Sequence, residues 1–244
     1  MTVAPSRPDA ALAREPTGGE AGAADDRISR HSVQVSPVIF PEHWLAHELL
    51  DGLTGLEIGA ASYNPFGLAT RNVAIREGHE FYAEEQQAMG VEPARVDIWA
   101  SGDQIPAPDQ SEDFIVTSHV LEHLPNVIAA FLEWNRIVKH GGYVFMVVPL
   151  KGALRADESR ELTSLAHFIE CYRQGFTLDS HPTEGVPGGR MGHYHTFTPD
   201  SLTDVVDWMR AQGLCEWELV AREDVDSKVG NGFTLAFRVS HRPS

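Results

Sequence analysis

Short apolar runs alternate with longer segments of helical periodicity along most of the chain. The runs predict strands at 56–58, 72–75, 95–99, 113–118, 143–148, 217–220 and 233–239. The periodic segments predict helices at about 40–50, 81–89, 127–138, 161–173 and 198–213. Strands and helices that alternate at this spacing indicate an α/β fold with a doubly wound, mostly parallel sheet of seven strands. No helix separates the last two strands, so the last strand is expected to be antiparallel.

The regular pattern is absent from two segments. Residues 151 to about 197, after the fifth strand, hold charged and histidine-rich sequence with one helix, and we expect them to form a lid insert over the carboxyl edge of the sheet. Residues 1–32 are rich in Ala, Pro and Gly, which predicts a disordered leader. A chain of 244 residues that is 42% apolar can bury one good core, so residues 33–244 are expected to form a single domain.

Charge and cysteine content narrow the classes of partner. Lys and Arg total 19 against 35 Asp and Glu, and the net charge of −16 repels nucleic acid and anionic membranes but tolerates a cationic partner. No apolar run approaches a membrane span, and the N-terminus lacks the apolar region of a signal peptide. Cys171 and Cys215 show no metal-binding spacing and suit a reducing compartment. We therefore expect a cytoplasmic protein with a small-molecule partner, and we leave a homodimer open.

The stretch 55–62 is the most informative turn of the chain. An apolar strand ends there in small residues, including Gly59 and Ala61, whose backbone a ligand can approach closely. Glu57 would lie at the carboxyl end of the strand, where open α/β sheets bind ligands. Glu77 follows twenty residues later, the offset at which dinucleotide-type folds place an acid for ribose hydroxyls. The turn lacks the three-glycine fingerprint, so a nucleotide-dependent oxidoreductase is the weaker interpretation.

Three motifs follow one another in a specific order. They are Gly-Leu-Glu-Ile-Gly-Ala at 55–60, Asp-Phe-Ile-Val-Thr-Ser-His-Val-Leu-Glu-His at 113–123, and Gly-Gly-Tyr-Val-Phe-Met at 141–146. With these motifs the chain resembles the class I S-adenosylmethionine-dependent methyltransferases, over roughly residues 40–150 and 198–240. The resemblance implies a Rossmann-like fold, S-adenosylmethionine as the cofactor and methyl transfer as the activity.

The same resemblance implies which residues bind the cofactor. The first turn would contact the methionine part, the acid after the second strand the ribose, and the loop after the third strand the adenine. The implied cofactor-binding residues are Glu57, Gly59, Ala61, Glu77, Gly102, Asp103, Ser118 and His119. The chain departs from the family at two points, because its first turn has a single glycine and its second strand ends in Ala74, Ile75 and Arg76, where an acid is common. These departures keep open a non-catalytic partner subunit that binds S-adenosylmethionine.

Histidines are the candidates for acid–base chemistry. Methyl transfer from a sulfonium is an in-line displacement, so the protein mainly positions the acceptor, but a hydroxyl acceptor also needs a base. Histidine suits this task because its reference pKa is about 6.5. The candidate catalytic residues are His119, His167, His193 and His195, with His123 and His181 in the same segments. His193 and His195 could bind a metal with Asp179 or Glu184, but we expect these histidines to form hydrogen bonds instead and predict no metal.

The insert also bears on the acceptor. Acids on a lid would favour a polycationic acceptor, and the segments 162–167 and 193–199 loosely resemble methyltransferases from antibiotic and glycan gene clusters. We therefore expect N- or O-methylation of a small secondary-metabolite sugar in antibiotic biosynthesis, with an aminoglycoside as the first candidate. O-Methylation of a carboxylate or phosphonate is the alternative, because the insert holds four arginines: Arg155, Arg160, Arg173 and Arg190.

Overall fold

The computed structural model describes residues 40–242 as a seven-stranded mixed sheet with helices on both faces. The predicted leader at 1–32 lies outside these residues. The strands are β1 Gly55–Ile58, β2 Thr70–Ala74, β3 Ile98–Trp99, β4 Glu112–Ser118, β5 Val138–Pro149, β6 Glu216–Glu223 and β7 Gly232–Ser240. The helices are α1 Trp44–Leu50, α2 Arg76–Ala88, α3 Val127–Ile137, α4 Leu165–Gln174 and α5 Pro199–Ala211, with 3₁₀ turns at Leu121–His123, Arg155–Asp157 and Gly189–Met191.

The strand order is β3-β2-β1-β4-β5-β7-β6, and the first five strands of the chain are parallel. β7 runs antiparallel to both of its neighbours, β5 and β6. The predicted seven-stranded Rossmann-like sheet with an antiparallel last strand is therefore confirmed, with β7 inside the sheet and β6 at its edge. Because β1 and β4 are neighbours, with Ile58 opposite Thr117, their carboxyl ends lie side by side. No helix among residues 40–242 is long and apolar enough to cross a membrane.

Apolar side chains form one layer on each face of the sheet. On one face, Leu56 and Ile58 of β1 belong to a layer that includes Trp134 of α3 and Met209 of α5. On the other face, Phe114 of β4 packs with the buried residues of α1. Central strands covered on both faces are mostly apolar, as parallel strands usually are, and Glu57 of β1 is a buried exception. This double burial fixes the strand ends from which the site is built.

Several elements differ in extent from the prediction: β5 begins at Val138, five residues earlier, α4 begins at Leu165, four residues later, and α2 and β3 also differ. α2 begins at Arg76, five residues earlier than predicted. The prediction missed its first turn because that turn is polar and shows no apolar periodicity. β3 is shorter than predicted and keeps only Ile98–Trp99. In the preceding residues, the Asn72 side chain donates to the carbonyl of Arg95, and Asp97 Oδ2 accepts the N–H of Asn72. The Asp97 N–H still donates to the carbonyl of Asn72 at 2.9 Å, so side-chain hydrogen bonds replace only part of the ladder there.

The insert between β5 and α5 is built around α4. This helix begins at Leu165, after Ser164, whose Oγ accepts the N–H of His167 at 3.3 Å and caps the helix. The insert then returns past the 3₁₀ turn that follows β4, where the Tyr194 N–H donates to the carbonyl of Glu122 at 2.7 Å. The returning segment therefore lies against the carboxyl end of β4.

Candidate functional site

The turn after β1 depends on Gly59. Its φ is +73°, a left-handed conformation that is strained for any residue with a Cβ atom. Its N–H donates to the carbonyl of Val73 at 2.8 Å. A Cβ built at Gly59 would lie 2.6 Å from Cγ2 of Val120. The turn is therefore packed directly against the segment that follows β4.

Two buried amide side chains fix the rest of this turn. The N–H of Ala60 donates to Asn72 Oδ1 at 3.1 Å, and the N–H of Ser62 donates to Gln86 Oε1. Asn72 is 7% exposed and Gln86 is 1% exposed. Sequence reasoning missed both residues, although an Asn inside an apolar strand is a signal for a turn that needs a polar partner. The carbonyl of Ala61, a predicted cofactor contact, accepts the N–H of Asn64 at 2.9 Å.

Glu57 lies beneath this turn rather than in it. Leu56 and Ile58 face the layer that contains α3, so the intervening Glu57 side chain faces the opposite side of the sheet. It is buried and accepts a hydrogen bond from Thr70 Oγ1 at 3.2 Å. Burial raises the pKa of Glu57 to about 7, although this hydrogen bond and the charge of Lys228 act in the other direction.

Three further predicted cofactor residues are each engaged within the protein. Glu77 has a side chain that is 58% exposed, and its Oε1 lies 3.5 Å from Nη1 of Arg190 in the insert. Asp103 accepts a hydrogen bond from the hydroxyl of Ser101. Gly102 is buried, and its carbonyl accepts the Nε1–H of Trp134 at 2.7 Å. Their predicted contacts with the cofactor remain predictions.

Ser118 is the last residue of β4, His119 follows it, and each has a polar side-chain atom without a partner in the described part of the chain. His119 has a φ of +55°, and its N–H donates to the carbonyl of Val147 at 2.9 Å, which turns the chain sharply at the sheet edge. Ser118 Oγ and His119 Nε2 are buried and have no hydrogen-bond partner among residues 40–242. Buried polar atoms without partners are uncommon, and such atoms at a strand end are available to a ligand.

A cluster of histidines and acids surrounds the end of β4. Glu122, 1% exposed, has its Oε1 3.8 Å from His119 Nδ1 and 3.8 Å from His123 Nε2. From the insert, His193 adds a ring centred 4.7 Å from that of His123, and its Nδ1 lies 2.5 Å from Oδ2 of Asp157. The ligating atoms of Glu122, His123 and His193 lie within 4.8 Å of one another. The sequence predicted His119 and His193 as site residues but did not single out Glu122 or Asp157.

Burial and charge give the members of this cluster different pKa values. Burial lowers the pKa of His119 and of His123 to about 4, and it raises the pKa of Glu122 to about 7. Burial would also lower the pKa of His193, but the hydrogen bond to Asp157 and the nearby Glu122 outweigh it and raise that pKa. His193 is therefore the histidine of the cluster that accepts a proton most readily.

His167 and His195 belong to a separate cluster in the insert. His195 is 1% exposed, its Nε2 lies 3.2 Å from the carbonyl of Pro125, and burial lowers its pKa to about 3. His167 lies with its Nε2 3.5 Å from Sγ of Cys171. The four histidines predicted as catalytic are therefore divided between two groups, and His193 and His195 form hydrogen bonds to different partners instead of pairing around a metal.

The sheet order, the turn after β1 and the polar cluster after β4 together define a methyltransferase-type α/β fold. The chain belongs to the methyltransferase-domain family, because the family profile described as "Methyltransferase domain" matches residues 44–214. The protein is accordingly an S-adenosylmethionine-dependent methyltransferase. No curated protein matches the sequence.

Solved structures are similar to the chain at low sequence identity. An S-adenosylmethionine-dependent methyltransferase from Methanosarcina mazei is 18% identical, over 81% of this chain and 98% of its own, with a TM-score of 0.49. Another, from Aquifex aeolicus, is 18% identical, over 78% of this chain and 84% of its own, with a TM-score of 0.42.

The residues at the carboxyl ends of β1 and β4 fit S-adenosylmethionine. Ser118 Oγ and His119 Nε2 are buried polar atoms available to a ligand, and the left-handed Gly59 keeps the neighbouring turn free of a side chain. These residues would hold the cofactor between the two strand ends. When bound, the cofactor supplies a methyl group on a sulfonium sulfur. The carboxyl end of β2 offers Ala74 instead of an acid, so ribose recognition depends on other residues.

Proposed function

We propose that this methyltransferase acts on a hydroxyl or amine of a small cationic acceptor, with an aminoglycoside as the leading candidate. The observation that carries the proposal is the Asp157–His193 pair, which the insert holds against Glu122 at the carboxyl end of β4. The cytoplasmic location expected from the sequence belongs to the same proposal.

His193 has the arrangement of a general base. Its Nδ1–H donates to Asp157, which leaves Nε2 as the nitrogen that accepts a proton. Burial alone would raise the pKa of Asp157, but hydrogen bonds from His193 and Arg160 lower it, so the carboxylate stays charged. In this proposal, His193 takes the proton of an acceptor hydroxyl as the methyl group is transferred. An amine would need only to arrive unprotonated.

The charges of the insert favour a cationic acceptor over an anionic one. Two of its four arginines are already paired: Arg160 with Asp157, and Arg190 with Asp179 and Glu77. Arg160 also donates to two backbone carbonyls of the returning segment. These two guanidinium groups are therefore used within the protein, which leaves only the exposed Arg155 and Arg173 among the arginines of the insert to bind a carboxylate or phosphonate acceptor.

An acceptor panel tests this proposal. The full chain is incubated with S-adenosylmethionine carrying a labelled methyl group and with aminoglycosides, neutral sugars, carboxylates or phosphonates. We expect label in the aminoglycosides. Label confined to the carboxylates or phosphonates would contradict the cationic acceptor and support the alternative. Cofactor binding without transfer to any class would favour a non-catalytic partner subunit.

The pH dependence of turnover, compared between the wild type and an Asp157 variant, should show whether His193 is the general base. Because the base must be unprotonated, kcat/KM is expected to rise with pH through the pKa of His193, with a midpoint above 6.5. In Asp157→Asn the charge and the charge-assisted hydrogen bond of Asp157 are lost and only Glu122 still opposes burial, so the midpoint should move to lower pH. The measurement is kcat/KM for the best acceptor of the panel from pH 5 to 9. A midpoint that does not move would exclude this pair as the base.

A further inference from the structure

The second histidine cluster of the insert combines three potential metal ligands. His167 and Cys171 lie four residues apart on α4, so they share one face of the helix. The chain leaves the helix at Gly175 and brings His181 back to this face, with Nε2 3.8 Å from Sγ of Cys171. His167 Nε2 is 3.5 Å from the same sulfur, and the ligating atoms of all three residues lie within 4.8 Å of one another.

These distances match a tetrahedral zinc centre. With Zn–S of about 2.3 Å and Zn–N of about 2.0–2.1 Å, tetrahedral angles place a sulfur and a nitrogen ligand about 3.5 Å apart. The two sulfur–nitrogen distances here are 3.5 and 3.8 Å. The Nδ1 of His181 lies 2.7 Å from the carbonyl of Pro182, so Nδ1–H donates there and the Nε2 lone pair faces the sulfur. Metal-binding histidines are commonly oriented by such a carbonyl.

A buried atom next to the cluster lacks a partner. His195 is 1% exposed, its Nε2 faces the carbonyl of Pro125, and its Nδ1 has no hydrogen-bond partner among residues 40–242. Its ring is centred 5.5 Å from that of His167. An unprotonated Nδ1 at this position can accept a hydrogen bond from a water molecule on the fourth position of a metal ion.

The surrounding chain lacks a core of its own. None of the residues 175–191 is buried, and their only regular element is the 3₁₀ turn Gly189–Met191. A segment of this kind buries too little apolar surface to fix its own conformation, and small units of that kind are often held by a metal. An ion bound to α4 and to His181 would fasten the loop after α4 to the helix.

We propose that His167, Cys171 and His181 bind one Zn²⁺ ion that stabilises the insert. Thiolate and imidazole ligands select zinc over magnesium or calcium. Binding replaces the thiol proton of Cys171, which leaves to solvent, and involves no change in oxidation state. This site goes beyond methyl transfer and uses none of the residues assigned to the proton acceptor.

Cobalt substitution tests the site directly. The full chain is purified in the presence of a chelator, freed of the chelator and titrated with Co²⁺, and Zn²⁺ affinity is measured by competition. We expect one ion per chain, the intense visible bands of tetrahedral cobalt and a thiolate-to-cobalt charge-transfer band. Cys171→Ser should remove that band and weaken zinc binding by about a hundredfold or more. The matched control is Cys215→Ser, which changes the other buried cysteine and should keep both signals.

Each other outcome overturns the proposal. A wild-type chain without the charge-transfer band has no thiolate-bound ion, whatever the stability of the variants. Zinc binding that survives Cys171→Ser but is lost in Glu122→Gln would assign the ion to the cluster after β4. His181→Ala is the second variant, and it should also lose zinc binding. Because these readouts measure metal binding alone, they are independent of the outcome of the acceptor panel.

Discussion

Replacing His193 with alanine is expected to lower turnover by about a hundredfold or more, the usual scale for the loss of a general base. His193 is the histidine of the cluster after β4 whose pKa is raised, and its Nδ1 lies 2.5 Å from Oδ2 of Asp157, which fixes the orientation of the ring. His193→Gln should lose as much, since its amide can still donate to Asp157 but cannot take a proton at neutral pH. The measurements are kcat and KM for the acceptor and the Kd of S-adenosylmethionine, which should barely change.

Control variants separate this effect from a general loss of structure. His140 is an exposed histidine near the amino end of β5, on the opposite side of the sheet from the site, and His140→Ala should keep normal turnover. Full turnover in both His193 variants would mean that the base is elsewhere, with His119 next in line, or that an amine acceptor needs none. A collapse of cofactor affinity in His193→Gln would instead mean that the insert closes over the cofactor.

The sheet could be predicted from the sequence because its information is local. The run at 143–148 and the glycines before it indicate a buried strand without knowledge of any other segment. The extent of β3 depended on contacts made at a distance. Before Ile98, side-chain hydrogen bonds of Asn72 and Asp97 replace part of the backbone ladder, and no periodicity in the sequence indicates that exchange.

The candidate site shows the same division between local and distant information. The position of Ser118 and His119 at the carboxyl edge of the sheet could be predicted, because they stand at the end of a recognisable strand. The grouping of the histidines could not be predicted, since His193 and His195 are two residues apart yet contact different parts of the fold. Asp157 is 36 residues from its partner, and only the folded insert brings the two together. Spacing along the chain predicts such a pair only within one regular element.

Gly59→Val is expected to weaken S-adenosylmethionine binding on the order of a hundredfold. A left-handed φ costs a side-chain-bearing residue about 1–2 kcal/mol. Overpacking against Val120, which a Cβ would approach to 2.6 Å, adds about 1–3 kcal/mol. In the free variant the turn moves to a position that relieves this strain. Binding of the cofactor requires the original position, so the strain energy is subtracted from the binding free energy. The resulting roughly 2–5 kcal/mol corresponds to about thirtyfold to several thousandfold in Kd.

Two further variants separate backbone strain from the contact with Val120. Gly52 also has a positive φ, but a Cβ there meets nothing within 4 Å, so Gly52→Val should show strain in thermal unfolding and leave the Kd unchanged. Adding Val120→Ala to Gly59→Ala removes the clash and should recover part of the lost affinity. Isothermal titration with S-adenosylmethionine measures each Kd, and thermal unfolding checks that each variant folds. A folded Gly59→Val protein that binds the cofactor normally would show that the turn after β1 is not its binding site.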